Sequence, residues 1–121
     1  MTKRRSPDDC LPLTPAMFEV LIALADGEKH GYAVLKEVAR RTDGRVTLSP
    51  GTLYAIIRRF VSDGIVAESD ERPDAALDDE RRRYYRMTEF GREVAHAEAR
   101  RMETALGMAR AKSLIPRTRS V

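Results

Sequence analysis

Between residues 14 and 64, glycine and proline punctuate the chain so closely that only short helices fit between them. Thr14-Pro15 is a good helix start, pairing a capping hydroxyl with a proline whose φ already suits the first turn. Met17, Val20, Leu21 and Leu24 then fall on one face, and Gly27 ends the run. Tyr32, Leu35, Val38 and Ala39 form the next stripe, from Gly31 to Thr42, closed by Asp43-Gly44. Ser49-Pro50 opens a third helix, with Leu53, Ile56, Ile57 and Phe60 as its apolar face and Gly64 as its stop. Three short amphipathic helices with brief connections predict a small three-helix core, which suits one domain in a chain of 121 residues.

Beyond Gly64 the helical pattern gives way to a strand pattern. Ile65 to Ser69 reads as a strand, and Arg82 to Met87 as its partner, with Tyr85 and Met87 on one face and Tyr84 and Arg86 on the other. The loop between them is long for a hairpin, about 12 residues, and its tip is expected to be mobile. Thr88 caps a last helix running to about Ala111. Along it Ala95, Ala99, Met102, Leu106 and Ala109 recur at spacings of four and three, beside a second row of Phe90, Val94 and Ala97. A helix of that length cannot easily bury both rows against a three-helix core, so pairing with a second copy is expected, with Phe90, Val94, Ala95, Ala99, Met102, Leu106 and Ala109 in the contact.

The predicted fold is therefore mainly α with a small β-hairpin: a winged helix-turn-helix followed by a C-terminal dimerisation helix. The expected divisions are a flexible N-terminal arm at 1–12, the winged helix-turn-helix at 13–87, the dimerisation helix at 88–111 and a flexible tail at 112–121. In that arrangement the third helix enters the DNA major groove and the hairpin, or wing, lies beside the backbone.

The net charge of +3 is too small to name a partner, but its distribution is informative. From Glu68 to Glu80 seven acidic residues face one basic residue, a net of −6, which leaves +9 on the remainder. The cations gather as Lys3-Arg4-Arg5, Arg40-Arg41, Arg58-Arg59, Arg81-Arg82-Arg83 and Arg100-Arg101. Their repetition outside one acidic segment points to an anionic partner.

The stretch Ser49-Pro50-Gly51-Thr52-Leu53-Tyr54 sharpens that expectation. Proline is ordinary at the first helical position, whereas the glycine after it costs a helix about 1 kcal/mol relative to alanine. At a DNA surface the glycine has a use. Exposed amides and the positive end of the helix dipole suit a phosphate oxygen, and Gly51 lets the backbone approach closely. Thr52 is placed to donate to phosphate or touch a base edge, and Tyr54 to reach the backbone with its hydroxyl. With the apolar side chains inward, Ala55, Arg58 and Arg59 are left to the groove, where an arginine paired with guanine gives roughly 1–3 kcal/mol of discrimination.

Four blocks in order, His30-Gly31-Tyr32, the segment Leu48 to Tyr54, Asp63 to Val66 and Arg82 to Glu93, resemble the PadR-type transcriptional regulators over roughly residues 12–110. The single helix after the wing resembles the shorter subfamily. The resemblance implies a homodimeric winged-helix repressor on an inverted-repeat operator in double-stranded DNA. It places Tyr32, Ser49, Gly51, Thr52 and Tyr54 at DNA-facing positions, with Arg82 and Arg83 on the basic strand leaving the wing; Pro50 and Arg81, beside them in sequence, are expected to join the same surface. His30 is either a phosphate contact or a capping histidine. The acidic loop holding Asp70, Glu71, Asp74, Asp78, Asp79 and Glu80 departs from the short basic tips of the family, and is expected to stay off the DNA. The resemblance also implies a small-molecule effector bound at the dimer interface. The chain has no tryptophan; Phe18, Phe90, Met102, Leu106 and Met108 could line an apolar pocket, but at helical spacing such residues are expected to be core.

Other classes find less support. Enzyme chemistry needs a base beside a nucleophile, or a set of metal ligands, and the chain offers His30, His96 and Cys10 with no CxxC, HExxH or glycine-rich phosphate loop. No cofactor is expected, and the carboxylate run Asp78-Asp79-Glu80 is expected to be solvated rather than metal-bound. A winged helix used for protein contact without specific DNA binding is the alternative reading; it calls for an exposed apolar patch on the third helix that the sequence does not show. Lys3 to Arg5 followed by the apolar stretch ending Ala23-Leu24-Ala25 imitates a signal peptide. Asp8, Asp9, Glu19 and two prolines interrupt it, so a core helix is expected. With one cysteine and no membrane segment expected, the compartment expected is the cytoplasm.

Overall fold

The computed structural model describes residues 5–69 and 83–116. Its elements run α1 (Pro15–Leu24), β1 (Lys29–His30), α2 (Gly31–Arg41), α3 (Pro50–Ser62), β2 (Val66–Ser69), β3 (Tyr84–Met87) and α4 (Glu89–Ala111), with a 3-10 turn at Pro7–Cys10 ahead of them. The helix starts are where hydroxyl residues stand ready to cap them. Thr14 Oγ1 accepts the Met17 N–H at 3.1 Å, Ser49 Oγ that of Thr52 at 3.1 Å, and Thr88 Oγ1 that of Gly91 at 2.9 Å. Each such cap is worth about 1 kcal/mol of helix stability.

The three stripes meet as predicted except on α2, where Tyr32 is exposed and Val34 is buried with Val38 instead. Val20, Leu21 and Leu24 of α1, Val34 and Val38 of α2, and Leu53, Ile57 and Phe60 of α3 form one buried core, which Ile65, Val66, Tyr85 and Val94 extend toward the wing and α4. Tyr85 turns inward and Arg86 outward, so β3 alternates as its sequence requires.

The sheet has three antiparallel strands in the order β1-β3-β2, not the two of the expected hairpin. Lys29 pairs with Tyr85 and His30 with Tyr84, while Glu68 pairs with Tyr85 and Ser69 with Tyr84 on the other side. Two residues are too few to show strand periodicity, and β1 exists because it satisfies backbone groups along the free edge of β3. The wing loop expected at 70–80 lies outside the described residues, as do Arg81, Arg82 and the tail from 117 on.

The turn after α3 joins three elements. Gly64 takes a φ of +78°, open to glycine at little cost, and brings the Ile65 N–H to the Phe60 carbonyl at 2.8 Å. Thr88 then donates its hydroxyl to the carbonyls of Gly64 at 2.6 Å and Ile65 at 3.0 Å, and its N–H to Ile65 at 3.0 Å. Three residues on, a Cβ at Gly91 would collide with the carbonyl oxygen of Ile65. The first turn of α4 thus sits directly on the end of α3.

Within the segment expected to be a loose arm, residues 7–10 form the 3-10 turn. Ser6 and Asp9 form a capping box around the 3-10 turn, which lies along α4. The Leu13 N–H donates to Glu98 Oε2 at 2.8 Å, Arg101 Nε donates to Glu98 Oε1 at 2.5 Å, and Arg5 pairs with Asp63 at 2.9 Å. Glu98 is only 1% exposed. Its carboxyl is held below the usual carboxylate range, first by the Arg101 hydrogen bond, with burial opposing and the Leu13 amide assisting. Among the described residues no helix is long and apolar enough to cross a membrane.

Candidate nucleic-acid interface

The N-terminus of α3 stands clear of the core. Ser49, Pro50, Gly51, Thr52, Ala55, Arg58 and Arg59 are all exposed, while Leu53, Ile57 and Phe60 are buried behind them. Ser49 Oγ accepts the Thr52 N–H and donates to Thr52 Oγ1 at 3.0 Å, which leaves Thr52 its own hydroxyl hydrogen to give away. The surroundings of Gly51 are open: a Cβ there would meet only Ser49 Oγ, at 4.0 Å. Nothing within the described protein requires a glycine at that point of the helix.

The other sequence-derived positions divide. Tyr32 is 54% exposed at the start of α2, with the Lys36 ammonium 4.9 Å from its ring centre. His30 is the N-cap of α2: its Nδ1 accepts the Ala33 N–H at 3.2 Å, and its ring lies edge-on to Tyr84, 5.6 Å between centres. The capping contact considered for it is thus present. Tyr54 is half-buried, and its hydroxyl faces the start of α2 at Gly31. Arg58 lines the cleft between α3 and the wing, whereas Arg59 leans toward Asp63, 3.9 Å away, on the side of the N-terminal segment. Neighbours in sequence, the two arginines lie on different sides of the helix. Arg83 is bound to Glu68 at 2.9 Å, a partner the sequence did not announce.

The apolar rows of α4 also divide. Val94 is fully buried in the core of its own chain, and Phe90 and Ala95 pack partly against that core. Val94 is therefore unavailable to a partner, contrary to expectation. It lies on the face that α4 turns to its own domain, and helical spacing shows that a row is apolar without showing what covers it. Ala99, Met102 and Leu106 are exposed and Ala109 half-buried, all on the far half of the helix. Of the five residues considered as a pocket lining, Phe18 and Phe90 pack against the core, the expected role, while Met102, Leu106 and Met108 are exposed, so they are not gathered in one place.

Cys10 is half-buried, and burial pushes its thiol pKa up, which makes it a poor nucleophile. Among the described residues no three His, Cys, Asp or Glu side chains are placed to share a metal ion. The carboxylate run Asp78-Asp79-Glu80 lies outside them.

A helix-turn-helix core, a three-stranded wing at its side and a long helix after it define a winged-helix protein, with the N-terminus of α3 presented outward. Residues 20–97 match the model of the transcriptional regulator PadR-like family, and the chain belongs to that family. It is 34% identical over 84 residues to the transcriptional regulator Rv3488 of Mycobacterium tuberculosis, covering 69% of this chain and 72% of that one. It is also 34% identical over 92 residues to an uncharacterized 37.1 kDa protein in transposon TN4556 of Streptomyces fradiae, of which it spans 24%. Among solved structures it is similar to a PadR family transcriptional regulator from Eggerthella lenta, with a TM-score of 0.61, 27% identity and coverage of 84% of this chain and 82% of that one. A transcriptional regulator from Clostridium thermocellum shares the fold, with a TM-score of 0.65 at 22% identity, covering 78% of this chain and 89% of that one.

Proposed function

We propose that this regulator is a sequence-specific DNA-binding repressor that acts as a homodimer on an inverted repeat in the cytoplasm. The observation that carries the reading is the open glycine at the start of α3. Gly51 weakens its helix and serves no internal contact, so its use lies in something that approaches from outside. The exposed amides, the Thr52 hydroxyl and the helix dipole together suit a phosphate oxygen. Arg58, further along the same helix, faces the groove, where base or backbone contact is open to it. The positive balance outside the acidic wing segment supports the same partner.

The dimer rests on the far half of α4. Met102 and Leu106 are 41% and 49% exposed on a helix that runs past the core. Pairing through this half brings two recognition helices to successive turns of DNA, roughly 34 Å apart.

Fluorescence anisotropy against the DNA upstream of the chain's own gene tests the proposal, with competitor DNA and a series of salt concentrations. Saturable binding that survives competitor, weakens with salt and is reduced in both Thr52→Ala and Arg58→Ala is expected. Binding only at low salt, indifferent to both substitutions, would overturn it and turn the search toward a protein partner.

A further inference from the structure

The inner face of the wing carries a carboxylate where a surface turned to DNA has most use for cations. Glu68 pairs in register with Tyr85, so it stands diagonal to Arg83 on the face of the sheet that Tyr85 turns to the protein. There Arg83 Nη1 forms an ion pair with Glu68 Oε1 at 2.9 Å, with the two side chains 37% and 31% exposed. With Tyr54, Ile57, Arg58 and Tyr85 they line a cleft of about 590 Å³ between α3 and the wing. Two guanidinium groups thus border one cleft, and Glu68 engages the one on the wing. Among the described residues the Arg83 Nε is buried without a hydrogen-bond partner.

We propose, resting on the DNA-binding reading, that Glu68 holds Arg83 in reserve and competes with a backbone phosphate of duplex DNA for it. A carboxylate and a phosphate suit the same planar fork of donors, so Arg83 serves one or the other along its Nη1 edge. In the free protein Glu68 neutralises Arg83 and leaves Arg58 as the cation on offer. When DNA lies across the cleft, a phosphate takes over Arg83 against the pull of Glu68 and against repulsion from its carboxylate. The pair therefore lowers affinity for every duplex alike, because phosphates carry no sequence.

The test is a double-mutant cycle, Glu68→Gln, Arg83→Gln and both together, in the full chain, read as affinity for a short duplex of random sequence over a range of salt. Glu68→Gln is expected to tighten binding about three- to tenfold and to steepen the salt dependence by up to about one ion. In the Arg83→Gln background the same change is expected to have less than about a twofold effect. An equal gain in both backgrounds would reduce Glu68 to one negative charge among many and overturn the proposal. Weaker binding by Glu68→Gln would overturn it too, since Glu68 would then be orienting Arg83 for the phosphate. Should Glu68→Gln fail to fold, the side-chain Nε–H resonance of Arg83 in the unaltered protein decides. It shifts on adding duplex if Arg83 changes partner, and an unmoved resonance overturns the proposal. A random duplex needs no operator, so absent operator preference would sink the repressor reading while leaving the cycle intact. A chain that binds no duplex at all would sink both.

Discussion

The Tyr54 hydroxyl lies 2.5 Å from the point a Cβ on residue 31 would occupy, with Cζ at 2.9 Å and Cε1 at 3.0 Å. Gly31 opens α2 and Tyr54 belongs to the second turn of α3, so this contact sets how closely the two helices of the helix-turn-helix cross. Gly31→Ala is expected to cost about 1–3 kcal/mol, as overpacking usually does, and to lower the melting temperature by several degrees. Tyr54→Phe removes the closest atom and is expected to restore part of that loss in the double variant. Thermal denaturation followed by circular dichroism decides it, and additive losses in the pair would show that the contact does not set the crossing.

Gly51 carries the opposite expectation. A methyl group there meets nothing closer than Ser49 Oγ at 4.0 Å, so Gly51→Ala should leave stability unchanged or raise it by about 0.5 kcal/mol. Its affinity for operator DNA should fall by about tenfold or more, as expected when a charge-assisted hydrogen bond to phosphate is lost. Melting and anisotropy on the same sample separate the two effects. A stabilised protein that binds as well as the parent would leave the glycine unexplained.

Glu98 links pH to folding. Its carboxyl is held below its ordinary value in the folded chain, so its contribution is complete above that value, near 4.5, and is lost as pH falls through the depressed folded one. Stability is expected to fall on acidification below about pH 5, and Glu98→Gln to flatten that part of the profile. The amide keeps an oxygen for the Leu13 N–H but turns donors toward Arg101, so at neutral pH the substitution should cost about 1–3 kcal/mol. Urea titrations at a series of pH values measure both. An unchanged acid slope in the variant would assign the acid sensitivity to other carboxylates.

The two halves of α4 should respond differently to charge. Leu106→Glu, on the exposed half, is expected to leave the melting of the winged domain nearly unchanged while converting a dimer to a monomer in analytical ultracentrifugation. Its affinity for an inverted repeat should then drop by about a hundredfold, through loss of the second binding event. Val94→Asp places a charge in the core and is expected to unfold the domain outright. A parent chain that sediments as a monomer would refute the pairing.

Much of this architecture is legible in the sequence, because its boundaries are written in local chemistry. Thr14, Ser49 and Thr88 announce helix starts through their own hydroxyls, and all three do cap the helices they precede. The features that escape a sequence reading depend on distant neighbours. Lys29-His30 becomes a strand only because the edge of β3 lies beside it. Gly31 and Gly91 are legible as glycines, but Tyr54 and the Ile65 carbonyl that require them come from other elements. Val94 reads as a partner contact because two apolar rows on one helix do not say which one the domain itself covers. Ser6 and Asp9 do offer a signal, a capping box with its two residues three apart, which the surrounding charge obscures.

Thr88, bonded to both Gly64 and Ile65, has a mechanical consequence for any pair of copies. Thr88 and Gly91 hold the first turn of α4 against the end of α3, so in the proposed dimer a shift of one α4 against the other is passed to the α3 helices. In the proposed dimer the distance between the two α3 helices is then a property of how two α4 helices cross, and it is open to change at Met102 and Leu106, away from the residues proposed to touch DNA.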